Sequence, residues 1–498
     1  MDLSHWIERH ARFAPAAVAV RFEGESISYT ELARRIRRAA AVLSGSGVAR
    51  GDAVAYLGLN RPAELVLLFA CARLGAMLVP LNWRLAPPEH ARVLADCPPR
   101  LFFVEPAFAE HARAIEGAGR AIGIDALDRE FAGPRAPEGG ESSPLLLCYT
   151  SGSTGAPKGV VLTQRALFWN AVNSTHMHDL TSADRVLTTL PMFHVGGMNI
   201  QTLPALHAGA CVTLHAKFDP AATLEAIERE RITLTVLVPA QLEALMQLPL
   251  WASADLSSLR MITTGSTIVS EGFVRKASGR GVPVIQVYGS TETCPIAAYV
   301  RVADALRKAG SAGAPALHCE VKVVDGAGDE LPEGGDGEIL VRGPNVASRY
   351  WNAPGETAQA FADGWYRSGD VGHFDAEGHL YVVSRKKDMI ISGGENIYPA
   401  EVENVLLECP AIEEACVVGR PEARWGETVV AAVVLKPGRR MTEAEAMALF
   451  QGRIARYKHP REVRFLERLP RSALGKVQRE VLRETIQREM RAAHSEGT

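Results

Sequence analysis

The sequence predicts an α/β protein in two parts: a large N-terminal domain of parallel-rich sheets with helices plus a small β-barrel-like region, followed by a small α+β C-terminal domain. Three observations predict it. Helically spaced apolar residues alternate with short apolar runs over residues 29–287. From about Val321 the texture changes to short alternating runs broken by Gly, Pro and Asp. A charged stretch, Arg385-Lys386-Lys387-Asp388, then precedes a compact last set of elements. With 498 residues the chain also exceeds what one ordinary core organises.

In order, residues 29–43 place Leu32, Ile36, Ala39, Ala40 and Leu43 on one helical face. A strand over 52–58, a helix over 63–74 and a strand over 76–81 follow, the alternation of parallel sheets covered by helices. Similar strands recur at 186–190, 211–214, 234–238, 261–264 and 284–287, whereas 132–143, rich in Gly, Pro and Glu, reads as a surface loop. Runs at 321–324 and 338–341 predict antiparallel strands. After the charged stretch come a helix over 401–407, strands over 414–418 and 429–435, and a helix over 443–455. The predicted domains are therefore 1–384 and 385–498.

Composition excludes several classes. Fifty-four Lys and Arg against 57 Asp and Glu leave a net charge of −3, so no bulk field draws nucleic acid or an anionic membrane, and any anionic ligand must be held by local groups. The eight cysteines form no C-x-x-C pair, which argues for buried free thiols over a zinc site or a dithiol. Asp2, His5, Glu8, Arg9, His10 and Arg12 interrupt the apolar core a secretory signal needs, so a cytoplasmic protein is expected. Residues 63–80 approach the length of a membrane span, but Arg73 and Gly75 interrupt them and a buried helix is the simpler reading.

The strongest local signal is Tyr149-Thr150-Ser151-Gly152-Ser153-Thr154-Gly155-Ala156-Pro157-Lys158-Gly159, set between two apolar runs. Glycines let backbone N–H groups converge, hydroxyls add donors and Lys158 adds a cation, a combination suited to polyphosphate. It is not the P-loop of nucleoside triphosphatases, because Gly159 and not Ser or Thr follows the lysine and a strand begins downstream.

This loop resembles the phosphate-loop signature of the adenylate-forming superfamily, which includes acyl- and aryl-CoA ligases. Further matching segments follow in order: Tyr288-Gly289-Ser290-Thr291-Glu292-Thr293, Trp365-Tyr366-Arg367-Ser368-Gly369-Asp370, Arg385 to Asp388, Ser392-Gly393-Gly394-Glu395-Asn396, and Pro470 to Lys476. The resemblance spans essentially the whole chain. It implies an acid–thiol ligase: a carboxylate attacks the α-phosphorus of ATP, pyrophosphate leaves, and the acyl-adenylate then passes its acyl group to coenzyme A. Such a step brings anions together and calls for Mg²⁺ and cationic side chains.

By the same resemblance, Thr150, Ser151, Gly152, Ser153, Thr154, Gly155 and Lys158 hold phosphates and Glu292 helps to bind Mg²⁺. Tyr288, with Gly265, Gly289 and Thr291, meets the adenine side, Asp370 accepts the ribose hydroxyls, and Arg385 adds a contact nearby. Lys476 is the expected catalytic residue of the first step and Lys387 the hinge. Gly393, Gly394 and Glu395 line the path of pantetheine, with Trp425 and Tyr457 at the CoA nucleotide and Arg456, Lys458 and Arg461 available to its phosphates. His194 stands at the gating position of acyl- and aryl-CoA ligases; the acyl pocket is expected from His194, Val195, Gly196, Gly197, Met198, Val238, Val287, Cys294 and Pro295.

Phe193-His194-Val195-Gly196 stands where amino-acid-activating relatives carry an Asp, which disfavours amino-acid substrates. Small apolar pocket residues favour a monocarboxylic fatty or aromatic acid over a dicarboxylate. Thr264-Gly265-Ser266-Thr267 departs from the family's usual G-G-A-P, which leaves the choice of acid open. Two other classes stay open: an adenylate-forming enzyme that delivers the acyl group to a carrier protein, and a non-catalytic nucleotide-binding relative. Retention of Glu292, Asp370 and Lys476 argues against the latter. A homodimer is compatible with the sequence but not specified by it.

Overall fold

The structure, a computed structural model, describes residues 2–129, 139–151, 157–266, 269, 271–385, 390–397, 399–470 and 477–495. The chain divides into two compact units. One comprises Met1–Trp83, Leu94–Thr150 and Gly159–Ser384; the other comprises Arg84–Val93, Ser151–Lys158 and Arg385–Thr498.

The first unit holds three sheets. A nine-stranded sheet has a parallel centre, in the spatial order Val284–Tyr288, Met261–Thr264, Leu234–Val236, Arg185–Thr188, Cys211–Leu214, Val18–Phe22. A seven-stranded sheet is parallel through Met77–Leu81, Ala53–Leu57, Leu101–Val104 and Ala121–Gly123. The small β region is a five-stranded antiparallel sheet built on Glu320–Val324, Gly337–Arg342 and Trp365–Phe374. Parallel strands need covering helices, and the alternating pattern supplies them.

Two helices show how the sequence specifies this. Ser28 caps the helix Tyr29–Gly45 by accepting the Glu31 N–H at 3.1 Å, and the predicted apolar stripe faces inward. The helix Pro62–Leu74 is buried on every side except at Ala63 and Arg73, and Gly75, at φ +71°, ends it. The most apolar stretch is thus interior helix and strand, and no helix among the described residues is long and apolar enough to cross a membrane.

In the second unit, Ile412–Glu422 and Gly426–Leu435 pair antiparallel, with Glu462–Phe465 parallel to the latter. The uninterrupted apolar run of the central strand is explained by its two covered faces. Val429, Ala431 and Val433 join the cluster of Val402, Leu406 and Phe450, whereas Val430, Ala432 and Val434 pack with Leu482 and Ile486 of the helix Arg479–Ser495. The helix expected over 443–455 is shorter, Glu443–Ala448, because the chain turns before Gly452 at φ +70°.

Candidate active site

The strand Val284–Tyr288 delivers the first site residues. A side chain at Gly289 would put Cβ 1.8 Å from the Pro295 carbonyl oxygen, so the chain can fold back there only as glycine. Ser290 then opens a short helical turn, Thr291–Thr293, its N–H donating to Thr293 Oγ1 at 2.9 Å. Asn345 pins the far side of the turn, with Nδ2 donating to the carbonyls of Thr293 (2.7 Å) and Ile296 (2.9 Å). Glu292 lies only 9% exposed; its Oε1 accepts the Tyr350 hydroxyl at 2.8 Å and its carbonyl accepts Ala347 N–H at 2.7 Å. Across from it, Tyr288 donates its hydroxyl to Asp370 Oδ2 at 2.8 Å, and the Asp370 N–H donates to Ser368 Oγ at 3.0 Å. The structure therefore ties Tyr288 to Asp370 and, separately, Glu292 to Tyr350 by side-chain hydrogen bonds.

The strand Pro144–Ser151 leads toward the phosphate loop. Tyr149 donates to Asp96 Oδ2 at 2.6 Å, burial pushes its phenol well up, and Asp96 also accepts from Trp351 Nε1 (3.2 Å) and Asn352 Nδ2 (2.9 Å). Thr150 and Lys158, at the two ends of the loop, are half-buried. Gly152, Ser153, Thr154 and Gly155, the side chains of Ser151 and Arg385, and Lys387 and Lys476 lie outside the described residues, as does most of the loop expected over 132–143.

The expected acyl segment is clamped from one side. Asn60 donates to the Leu190 carbonyl at 2.8 Å and accepts the Met192 N–H at 2.8 Å. His194 is exposed, and its Nδ1 accepts the Gly196 N–H at 3.0 Å; a Cβ on Gly197 would lie 2.2 Å from the Pro191 carbonyl. Val195, Gly196, Gly197 and Met198 are buried, and Met198–Thr202 continues as a π-helical turn, a form that concentrates at functional sites. A Cβ on Gly265 would sit 2.6 Å from the Val287 carbonyl, and Asn199 Nδ2 lies 3.6 Å from Cys294 Sγ, so the structure joins these segments. Pro295 is buried and Val238 half-buried. Burial holds the Cys294 thiol well above its ordinary range, so it stays protonated and is a poor nucleophile.

In the second unit, Gly393, at φ +60°, is packed by Trp425: a Cβ there would lie 2.9 Å from the indole ring. The guanidiniums of Arg424 and Arg461 lie over that ring at 4.7 and 5.5 Å. Glu395 pairs with Arg84, a residue the motifs did not single out. Lys458 was expected to meet phosphates; instead it is buried, with Nζ 2.8 Å from both Glu89 and Glu401, and those carboxylates hold its ammonium charged. Tyr457 packs on the adjoining core. Asn60, Asn345, Tyr350, Arg84 and Glu89 carried no motif signal, since each acts through tertiary contacts far apart in sequence.

A large sheet-rich α/β unit that carries Tyr288, Glu292 and Asp370, followed by a small α+β unit, fits the adenylate-forming class. The chain belongs to the acyl-CoA synthetase family of AMP-binding enzymes: the AMP-binding enzyme model matches residues 7–351 and the AMP-binding enzyme C-terminal domain residues 401–476. It is 56% identical to an indoleacetate–CoA ligase of Aromatoleum aromaticum, over 98% of this chain and 99% of that one. It is 44% identical to a feruloyl-CoA synthase of an Amycolatopsis species, over 95% and 97%. The o-succinylbenzoate CoA synthetase of Bacillus subtilis, solved with a product analogue, superimposes with a TM-score of 0.89 at 34% identity, covering 96% of this chain and 98% of that one.

Proposed function

We propose that this chain is an AMP-forming CoA ligase for an aromatic monocarboxylic acid of the arylacetate type. The observation that carries the reading is its 56% identity over 98% of the chain to a ligase of indoleacetate. The buried, apolar Val195-Gly196-Gly197 segment, which carries no charged side chain, agrees with a monocarboxylic acid. The acid's carboxylate attacks the α-phosphorus of ATP and pyrophosphate departs; the thiol of CoA then displaces AMP from the acyl carbon.

Thr150, Ser151, Gly152, Ser153, Thr154, Gly155 and Lys158 hold the β- and γ-phosphates. Tyr288, with Gly265, Gly289 and Thr291, faces adenine, Asp370 takes the ribose hydroxyls, and Arg385 supports it. Lys476 neutralises charge as carboxylate and α-phosphate meet, and His194 gates the acid. Gly393, Gly394, Glu395, Trp425 and Tyr457 receive CoA, with Lys387 as the pivot between half-reactions. Glu292 suits Mg²⁺: a single half-used carboxylate is the donor expected for an ion held mostly by water and phosphate, and no cluster of three ligating side chains occurs among the described residues. When bound, the ion neutralises phosphate charge. Eight free cysteines agree with a reducing cytoplasm.

The test is a screen of aryl and short- to long-chain aliphatic acids with ATP and Mg²⁺, following pyrophosphate with and without CoA. The expected result is CoA-dependent thioester formation with arylacetates ahead of aliphatic acids. Pyrophosphate release without thioester would move the enzyme to the carrier-protein class, and a preference for alkyl acids would overturn the aryl reading.

A further inference from the structure

Three buried side-chain oxygens close to the acyl segment, Asn199 Oδ1, Gln201 Oε1 and Thr264 Oγ1, have no hydrogen-bond partner among the described residues. Asn199 and Gln201 are 1% and 2% exposed and share the turn Met198–Thr202. Buried oxygens are normally met by protein, water or ligand, so such a group calls for an occupant. Several contacts join this turn to the acyl segments. Thr202 Oγ1 donates to the Gly197 carbonyl at 2.6 Å, and Asn199 Nδ2 approaches Cys294 Sγ. Gln201 Nε2 lies 3.3 Å from Thr263 Oγ1, two residues before Gly265.

The orientation of the Gln201 amide follows from proton accounting. Ser174 Oγ donates its one hydrogen to the Ile200 carbonyl at 2.6 Å. Both neighbours of His178 Nδ1, the Ser174 carbonyl at 2.9 Å and Ser174 Oγ at 3.1 Å, are then acceptors, so Nδ1 carries the imidazole proton. Burial holds His178 neutral, with a pKa of about 4, so Nε2 is an acceptor. Thr263, 2.9 Å away, must donate its hydroxyl hydrogen to Nε2, and its oxygen can only accept from Gln201. A flipped amide would set oxygen against oxygen. Gln201 Oε1 is therefore fixed as the acceptor end of an ordered chain that runs from the Ser174 carbonyl through His178 and Thr263.

An alkyl tail has no hydrogen to give such an oxygen, whereas an indole N–H or a ring hydroxyl has one. We propose that Gln201 Oε1 determines specificity by accepting a hydrogen bond from an N–H or O–H group on the aromatic ring of the acid. This rests on the aryl-acid reading above and narrows it to rings that carry a donor. A site built to pair with a substrate hydrogen discriminates sharply against an analogue that lacks it, because its own acceptor is then left buried and unpaired.

The experiment compares kcat/KM for indole-3-acetate and 1-benzothiophene-3-acetate, which replaces N–H by sulfur at nearly constant shape, in the wild-type enzyme and in Gln201→Met. The wild type should prefer the N–H acid by about 10-fold or more. Gln201→Met should bring the ratio close to one, chiefly by lowering the value for the indole acid. Equal values in the wild type would overturn the proposal, and that pair decides the matter even where the variant does not fold. A wild-type preference that survives in Gln201→Met would overturn the assignment to Gln201. Turnover of alkyl acids with neither aryl acid accepted would instead sink the aryl reading itself, and the proposal with it.

Discussion

The two turns of the candidate site, Thr291–Thr293 with its flanks and Val195–Thr202, are built on opposite plans. Around the first, Asn345 donates to the Thr293 and Ile296 carbonyls, Tyr350 to the Glu292 carboxylate and the Ser290 N–H to the Thr293 hydroxyl oxygen. The second is held at its backbone by Asn60, Thr202 and Ser174 but leaves Asn199 Oδ1 and Gln201 Oε1 without partners among the described residues. On the proposed function the first turn serves one nucleotide and is completed by the protein, whereas the second recognises one acid among many and leaves part of its hydrogen bonding to the substrate.

The largest test of this contrast is a pair of glycine substitutions. Gly289→Ala drives Cβ against the Pro295 carbonyl, which has no freedom to retreat while Asn345 holds Ile296. Overpacking of that kind costs upwards of about 3 kcal/mol, or roughly 100-fold in rate where it falls on the reacting geometry. Pyrophosphate release should fall by a similar factor for every acid. Gly196→Ala, where Cβ meets only the side chains of His194 at 3.0 Å and Leu190 at 3.9 Å, should instead change the ranking of acids by size. A uniform loss in both variants, measured across the same panel, would erase the distinction between the turns.

Next in size is the response to acid. His178 organises the second turn through Ser174 and Thr263, and burial, reinforced by Arg260, depresses its pKa from 6.5 to about 4. The unfolded chain takes up this proton below about pH 6.5 while the folded chain refuses it until about pH 4. The group's contribution to stability is therefore complete above pH 6.5 and is lost as pH falls to 4, in total about 3 kcal/mol. Urea midpoints between pH 7 and pH 4.5 should fall less steeply in His178→Gln than in the wild type. Parallel slopes would mean that His178 is not neutral in the folded chain.

Much of this was legible in the sequence, for reasons that differ by residue. The alternation of apolar runs specified parallel sheets because covering helices impose it, and Gly289, Glu292 and Asp370 stood in ordered motifs that resemble those of the AMP-binding family. Gln201 had no such signal: its meaning depends on Thr263 and His178, distant in sequence, and on which oxygen is left over after the protons are assigned. Lys458 misled for a related reason. A lysine in a basic segment reads as a phosphate ligand until the structure seats it between Glu89 and Glu401. The texture change at Val321 was readable as antiparallel strands, but the closeness of the Asn345 side chain to the turn at Thr293 was not.

The smallest expected effect sharpens the comparison most. Tyr350→Phe removes the hydroxyl that donates to Glu292 Oε1 and leaves the ring and its packing against Phe361 in place. Loss of a hydrogen bond to a charged group costs about 1.5 kcal/mol, close to 10-fold, and less if water replaces the hydroxyl. On the proposed role of Glu292 at magnesium, the loss should appear in kcat for pyrophosphate release, should shrink as magnesium is raised, and should leave the ratio between indole-3-acetate and its benzothiophene analogue unchanged. That invariance is the informative quantity. If Tyr350→Phe altered the acid ratio, the nucleotide turn would be reaching the acyl pocket through Cys294 and Asn199, and the two turns would have to be treated as one cooperative unit in which recognition of acid and of ATP are coupled.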